Sequence, residues 1–356
     1  MKILYLMHVD WNWIKQRPHF IAEGLAKQGF DVDVLYMPYS KQFLVENKHE
    51  YITLKPIKQL RGRRFSIIRK VNSVIYEFMV RYIIKTKEYD YIYITHPSMY
   101  VKKLDKRIIY DCMDDNAAFP MTSSEKDKIL TTEKKLVENS EIVTFSSEYL
   151  SKTVINRIGF IPNKYKIINN AIKLPSVDIT ENKILEKKRS DNDLVITYIG
   201  TVSNWFDLEL LRNVQKKYKE KNIVYNLYGP VDYNADFSGF NLKGTIPHEK
   251  IFDVMLESDI LVMPFVLNDL IKSVNPVKLY EYIYSGKPVI SIEYGETIKF
   301  SDYIYLYKPS NAESFISCLN EISGNNYASK QPLEKAKKFV CNNTWSERVD
   351  EIISLL

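Results

Sequence analysis

The chain reads as an α/β protein with two Rossmann-like, doubly wound parallel-sheet domains facing a cleft. Three observations lead there. Its 356 residues exceed one ordinary domain and suit two of middling size, each able to bury its own core. Strand-like apolar runs alternate with amphipathic helical stretches, a pattern that implies parallel sheets covered on both faces. The alternation lapses over 173–193, "KLPSVDITENKILEKKRSDND", where charged and polar residues replace the periodicity, as in an exposed interdomain connection. The expected division is therefore a domain over 1–172, a linker over 173–193, a domain over 194–340 and a C-terminal helix over 341–356.

In the first half, "KILYLMH" is a strand, "PHFIAEGLAKQGF" an amphipathic helix with Pro18 in its first turn and Gly29 past its end, and "DVDVLYM" a second strand. A helix follows over about 70–87, then strands "YDYIYITH" and "RIIYDCMD". A helix over 124–139, strand "EIVTFSS", a helix over 148–158 and strand "KYKIINN" complete the half. The second half runs through "LVITYIG", helix "DLELLRNVQKKYKEK", "IVYNLYG", helix "HEKIFDVMLES", "DILVMPF", a helix over 276–285 and "PVISI". The final "NTWSERVDEIISLL" is a capped amphipathic helix.

Composition narrows the classes. Three cysteines without a CxxC pair argue against a disulfide framework or a zinc site and fit a reducing cytoplasm. The apolar run of "MKILYLMHVDW" is too short for a signal sequence, and no uncharged apolar stretch of about 18 residues occurs, so any membrane contact is expected to be peripheral. The net charge of +6 is concentrated over 55–70, where Lys55, Lys58, Arg61, Arg63, Arg64, Arg69 and Lys70 interleave with Leu60, Phe65, Ile67 and Ile68. Such a stretch suits an anionic membrane surface, a nucleic acid or a merely solvated face. The membrane is the partner expected here, and nucleic acid is not.

The most informative stretch is "SVNPVKLYEYIYSGKPVIS", 273–291. Asn275 has N-cap chemistry, Pro276 suits the first helical position and Gly286 the position past the end. Asn275, Lys278, Glu281 and Ser285 share one face. The helix start offers positive potential to an anion, Lys278 adds a full charge suited to a diphosphate, and Glu281 can accept from the hydroxyls of a ribose. A solvent face carrying an (i, i+3) ion pair has the same spacing.

"NPVKLYEYIYSGKPVI", preceded by "SDILVMPF", resembles the donor-sugar segment of GT-B glycosyltransferases, especially the retaining family of lipopolysaccharide, capsule and teichuronic acid enzymes. "WIKQRPHFIAEGLA", "IIYDCMDD", "TFSSEYL", "YIGTVSNWFDLELL" and "NTWSERV" extend the resemblance to a polysaccharide-assembly subgroup. It implies a nucleotide-sugar co-substrate, UDP-linked by expectation, and no further cofactor; the clustered aspartates could bind a metal, but a lysine and a helix terminus can neutralise a diphosphate, so none is expected. Glu281 matches the second of two family glutamates; the first falls on Ser273, and the usual arginine and lysine are missing from "GTVSNWFD". Phosphate duty would then rest on Lys278, Asn275 and the backbone around Gly200 and Thr201, with Gly229 and "KGTIP" bordering the base.

The first domain would hold a lipid-linked or growing glycan acceptor. His8, Trp11, Trp13 and Arg17 lie in the first strand-to-helix loop, where aromatic faces stack on sugars and an arginine pins an anion. Packing of both tryptophans against the following helix is the alternative. Asp111, Asp114 and Asp115 end a strand at the same edge and are candidates for a base; His96, ending another, suits a catalytic or a structural role. Retention and inversion both remain open. A transferase at the inner face of the plasma membrane is expected, against a degenerate binding subunit or a nucleotide-sugar dehydrogenase or epimerase, for which a GxGxxG loop is lacking.

Overall fold

The strand and helix alternation is realised as two parallel sheets, each reversing its direction of growth once. The computed structural model describes residues 1–38, 51–62, 65–175, 178–185 and 192–356. These form two compact units, Met1–Asn170 with Trp345–Leu356, and Ala171–Thr344. The stretch over 173–193, to the extent described, thus belongs to the second unit.

The first unit runs β1 (Lys2–Met7), α1 (Arg17–Lys27), β2 (Asp31–Tyr36), β3 (Ile52–Pro56), α2 (Ser66–Thr86), β4 (Tyr91–Ile94), β5 (Arg107–Cys112), α3 (Ser123–Asn139), β6 (Ile142–Phe145), α4 (Glu148–Ile158) and β7 (Tyr165–Ile167). In the second come α5 (Glu181–Leu185), β8 (Asp193–Ile199), α6 (Leu208–Lys217), β9 (Asn222–Tyr228), β10 (Phe240–Gly244), α7 (Ile251–Leu256), β11 (Ile260–Met263), α8 (Asp269–Ser273), α9 (Val277–Tyr284), β12 (Val289–Ile292), α10 (Gly295–Ile298), β13 (Tyr305–Tyr307), α11 (Ala312–Gly324) and α12 (Leu333–Cys341). The closing helix α13 (Trp345–Ile353) returns to the first unit.

Among the described residues the strand orders are β3-β2-β1-β4-β5-β6-β7 and β10-β9-β8-β11-β12-β13. Every paired strand is parallel. Growth reverses between β1 and β4 in one sheet and between β8 and β11 in the other. At such switch points the loops leave in opposite directions and open a crevice at the carboxyl edge.

Central strands are apolar on both faces because both faces are covered: Ile3 to Met7 and Tyr91 to Ile94 are wholly buried. Tyr5 and Tyr93, register partners, stack with ring centres 4.6 Å apart. Edge strands β3, half-exposed, and β10, exposed beyond Phe240, lack such runs and have no counterpart in the sequence reading; β13 is only three residues long. The reading also omits α5, which lies in the expected linker, and α8, α10, α11 and α12.

Helix ends follow local chemistry. Ser147 accepts from the Leu150 N–H at the start of α4, and Gly159 ends it with φ +83°. Trp345 of α13 is buried and stacks on Phe20 of α1 at 5.1 Å, and a Cβ on Gly24 would overlap Val349. Helix α9 departs from expectation in its cap: it starts at Val277, and buried Asn275 donates instead to Glu296 Oε2 at 2.9 Å.

Candidate functional site

In the second unit the loop after β8 and the loop after β11 meet at the switch point. The Val266 N–H donates to Trp205 O at 2.7 Å and the Asp207 N–H to Pro264 O at 2.8 Å, joining the loops backbone to backbone. Beside them Gly200 takes φ +149°, and Gly229, at φ +136°, packs so closely that a Cβ on it would overlap the Gly200 carbonyl. Only glycine fits at this contact.

Lys278 folds back over Gly200. A Cβ at Gly200 would overlap Lys278 Cε and lie 2.7 Å from Nζ, which stands 5.8 Å from the centre of the Tyr198 ring. Tyr198 is itself fixed by donating to Thr201 O at 2.9 Å. The ammonium is half-buried, and burial lowers its pKa while Glu281, one turn further on, opposes that shift. Among the described residues no carboxylate forms an ion pair with it. The arrangement is a cation taken partly out of water over an open glycine turn.

Two expectations are corrected here. The Gly200 N–H donates to Tyr228 O at 2.7 Å, so that amide is not left to hold a phosphate; the Gly229 N–H, expected only beside the base, donates to Gly244 O at 2.8 Å. The glycines instead make room for Lys278 and for each other. Asn275 is not directed at an anion either: it donates to Glu296, which Lys299 also pairs at 3.0 Å. The Tyr294 hydroxyl donates to Val274 O, so the β12–α10 segment braces the approach to α9. Glu296 and Lys299 have no counterpart in the sequence reading, because "GETIK" lacks any periodic or spaced signal. Ser273 is buried, its hydroxyl donating to Leu270 O at 2.7 Å.

In the first unit the register sets Leu6, Ile94 and Tyr110 level on β1, β4 and β5. His8 and His96, each two residues further, therefore flank the switch point, and Asp114 follows two residues past the end of the neighbouring β5. The imidazoles lie 4.8 Å apart. Thr95 Oγ1 donates to Leu6 O and contacts His8 Nδ1 at 2.8 Å; the Ser98 N–H donates to His96 Nδ1 at 3.0 Å, which puts the His96 proton on Nε2. Burial lowers His8 to about 3, helped by His96, and lowers His96 to about 4, so both rings are neutral at neutral pH.

The three aspartates separate by environment. Asp111 is fully buried and gripped by Arg17, whose Nε and Nη2 donate at 2.9 and 2.8 Å, and by Thr144 Oγ1 at 2.7 Å. Arg17 spends Nη1 on Ile168 O and Asn170. Neither is available as a base or as an anion clamp; the pair is a buried brace between α1, β5 and β6. Asp115, also buried, accepts from Arg157 at 2.8 Å, and Arg157 pairs with Glu133 as well. Asp114 differs. Burial raises it to about 6 against the pull of Arg17, and among the described residues no hydrogen bond or ion pair holds its carboxylate.

The tryptophans split in the same manner. Trp11 is buried beside His19, ring centres 5.3 Å apart, whereas Trp13 is 55% exposed. Buried His19 reaches Asp10 O and accepts from the Gln16 N–H, fixing the loop before α1. In the basic segment Lys55 turns to Asp33 at 3.5 Å, Lys58, Arg61, Arg69 and Lys70 are exposed, and Arg63 and Arg64 lie outside the described residues.

Two parallel α/β sheets of this order make the chain a GT-B fold. Its solved likenesses include the sucrose-phosphate synthase of Thermosynechococcus elongatus, TM-score 0.76 and 13% identity over 100% of this chain and 98% of that one. The Anabaena protein Alr3699/HepE, solved in complex with UDP, gives TM-score 0.70 and 15% identity over the full length of both. In sequence, the chain is 23% identical over 240 residues to a Bacillus subtilis protein carrying the provisional name teichuronic acid biosynthesis glycosyltransferase TuaH. That match takes in 62% of this chain and spans 59% of the relative's length. No family model matches the chain.

Proposed function

We propose that the chain is a glycosyltransferase that takes a sugar from a nucleoside diphosphate donor, UDP-linked, and passes it to a lipid-linked or polysaccharide acceptor in cell-surface glycan assembly. One observation carries this reading: the half-buried ammonium of Lys278, without an ion-pair partner among the described residues, lies over Gly200 at the second unit's switch point. A diphosphate there supplies the missing counter-charge, and the leaving group needs that charge most as the sugar departs. Glu281 would take the ribose hydroxyls. Lys278 and the start of α9 make a metal ion unnecessary for this neutralisation.

On the acceptor side we assign Asp114, His8, His96 and Trp13. The bond from the anomeric carbon to the diphosphate oxygen breaks, the acceptor oxygen bonds to that carbon, and its proton goes to Asp114. Trp13 offers an exposed ring for a sugar face. Support comes from the UDP complex of the Anabaena likeness and from the name of the Bacillus relative. Among the described residues no helix is long and apolar enough to cross a membrane. We place the protein at the inner membrane face, held through the basic segment by Lys58, Arg61, Arg69 and Lys70.

Release of the nucleotide leaving group from a panel of UDP-, GDP-, dTDP- and CMP-sugars tests the proposal: turnover with a UDP-sugar, freeing UDP, is the expected outcome. UDP binding with no turnover on any acceptor replaces it with a nucleotide-binding subunit, a reading favoured by Ser273 at the family's first glutamate position. No nucleotide binding at all overturns both.

A further inference from the structure

The 21-residue helix α2 carries two apolar stripes, only one of which faces the core. Asn72, Tyr76, Val80 and Ile83 are the buried set. Ile67, Val71, Val74, Phe78 and Tyr82 recur at the same helical spacing on the opposite side, and all five are between 40% and 73% exposed. The Phe78 and Tyr82 rings stack on each other, 6.4 Å between centres, rather than on anything beneath. At 1.5 Å per residue this outer stripe is about 22 Å long. Single exposed apolar residues need no explanation, but five aligned ones leave a continuous apolar strip in water.

The surroundings of the strip are cationic. Within α2, Lys70, Arg81 and Lys85 stand against one carboxylate, Glu77, which Arg81 already pairs at 2.7 Å, while Arg69, on the opposite face, lies near Glu125. Exposed Lys58 and Arg61 precede the helix, and Asn72 ties their loop to it by exchanging hydrogen bonds with Leu60. Exposed Lys102 and Lys103 lie alongside, where Arg81 donates to Lys102 O. An apolar face bordered by lysine and arginine matches the boundary layer of an anionic bilayer, apolar chains below and negative headgroups around. A protein partner would need matching acidic groups around an apolar groove.

We propose that α2 lies in the plane of an anionic membrane with Ile67, Val71, Val74, Phe78 and Tyr82 in the acyl boundary. This deepens the membrane contact proposed above: insertion by 67–82, rather than charge alone over 55–70, supplies the holding energy. The test needs no sugar transfer, so it stands apart from the donor reading.

The full-length protein is sedimented with vesicles of equal parts phosphatidylglycerol and phosphatidylcholine, and with phosphatidylcholine alone. Binding to the mixed vesicles is expected, weakened but not abolished by salt. Val74→Ser/Phe78→Ser should lower the partition coefficient about tenfold or more, since each inserted side chain contributes apolar transfer energy. Ile67→Ser/Tyr82→Ser, at the ends of the stripe, should lower it similarly, and unchanged circular dichroism melts show that the fold is kept. Lys70→Gln/Lys85→Gln, on the strip's own side of the helix, should weaken the preference for the anionic vesicles. The proposal is overturned if the wild type stays in solution, if both serine pairs bind like wild type, or if light scattering finds a dimer that Phe78→Ser dissociates.

Discussion

The Lys278 side chain occupies the space that a Cβ on Gly200 would need. Backbone of one loop and cation of one helix thus fit only because the loop carries no side chain. The contact explains two residues at once: the glycine at φ +149°, and a lysine whose stem packs on backbone while its ammonium faces the Tyr198 ring. An anion entering the turn meets that charge in a partly desolvated setting, where Coulomb attraction exceeds its value in water.

Gly200→Ala should therefore reproduce the loss caused by Lys278→Ala. Both should weaken UDP binding by about 1.5 to 3 kcal/mol, the range for a hydrogen bond to a charged group, or roughly tenfold to more than a hundredfold. Titration calorimetry on both variants reads this directly. Full UDP affinity in Lys278→Ala would remove the phosphate role. Because burial lowers the Lys278 pKa, the ammonium is lost as pH rises before an ordinary lysine would titrate. UDP affinity should fall on the alkaline side accordingly, and Lys278→Arg, which stays charged, should lack that fall.

Asp114 gives a prediction about the acid limb. Its carboxyl is pushed up to about 6, so it is ionised and able to take a proton only above that pH. kcat/KM should rise through about pH 6, and Asp114→Asn should lose both that limb and about a hundredfold or more in rate. His8 and His96, at about 3 and 4, contribute no limb near neutrality. An unchanged acid limb in Asp114→Asn moves the base elsewhere.

The Arg17–Asp111 pair should answer as a brace. Asp111→Asn leaves a buried guanidinium short of its counter-charge, a change worth about 3 to 5 kcal/mol of stability by urea denaturation. Arg17→Met/Asp111→Leu, which removes both charges, should restore much of it. A fully stable but inactive Asp111→Asn would return Asp111 to the chemistry.

The sequence by itself determined the two sheets and the order of their central elements. A strand such as β1 or β11 buried on both faces must be an apolar run, and a helix covering it must repeat near 3.6; both patterns are local and survive without coordinates. That Lys278 and Glu281 lie one turn apart on one short helix was legible for the same reason. Tertiary structure alone decided what each charge touches. Asp111, Asp114 and Asp115 look alike in "IIYDCMDD", yet Arg17 and Arg157, from α1 and α4, claim two of them and leave the third. The outward stripe of α2 is equally invisible in sequence, because an apolar period says that a helix has a face and not whether protein covers it. Partnering of a charge and cover for an apolar face are set by residues distant in the chain, and only packing brings those together.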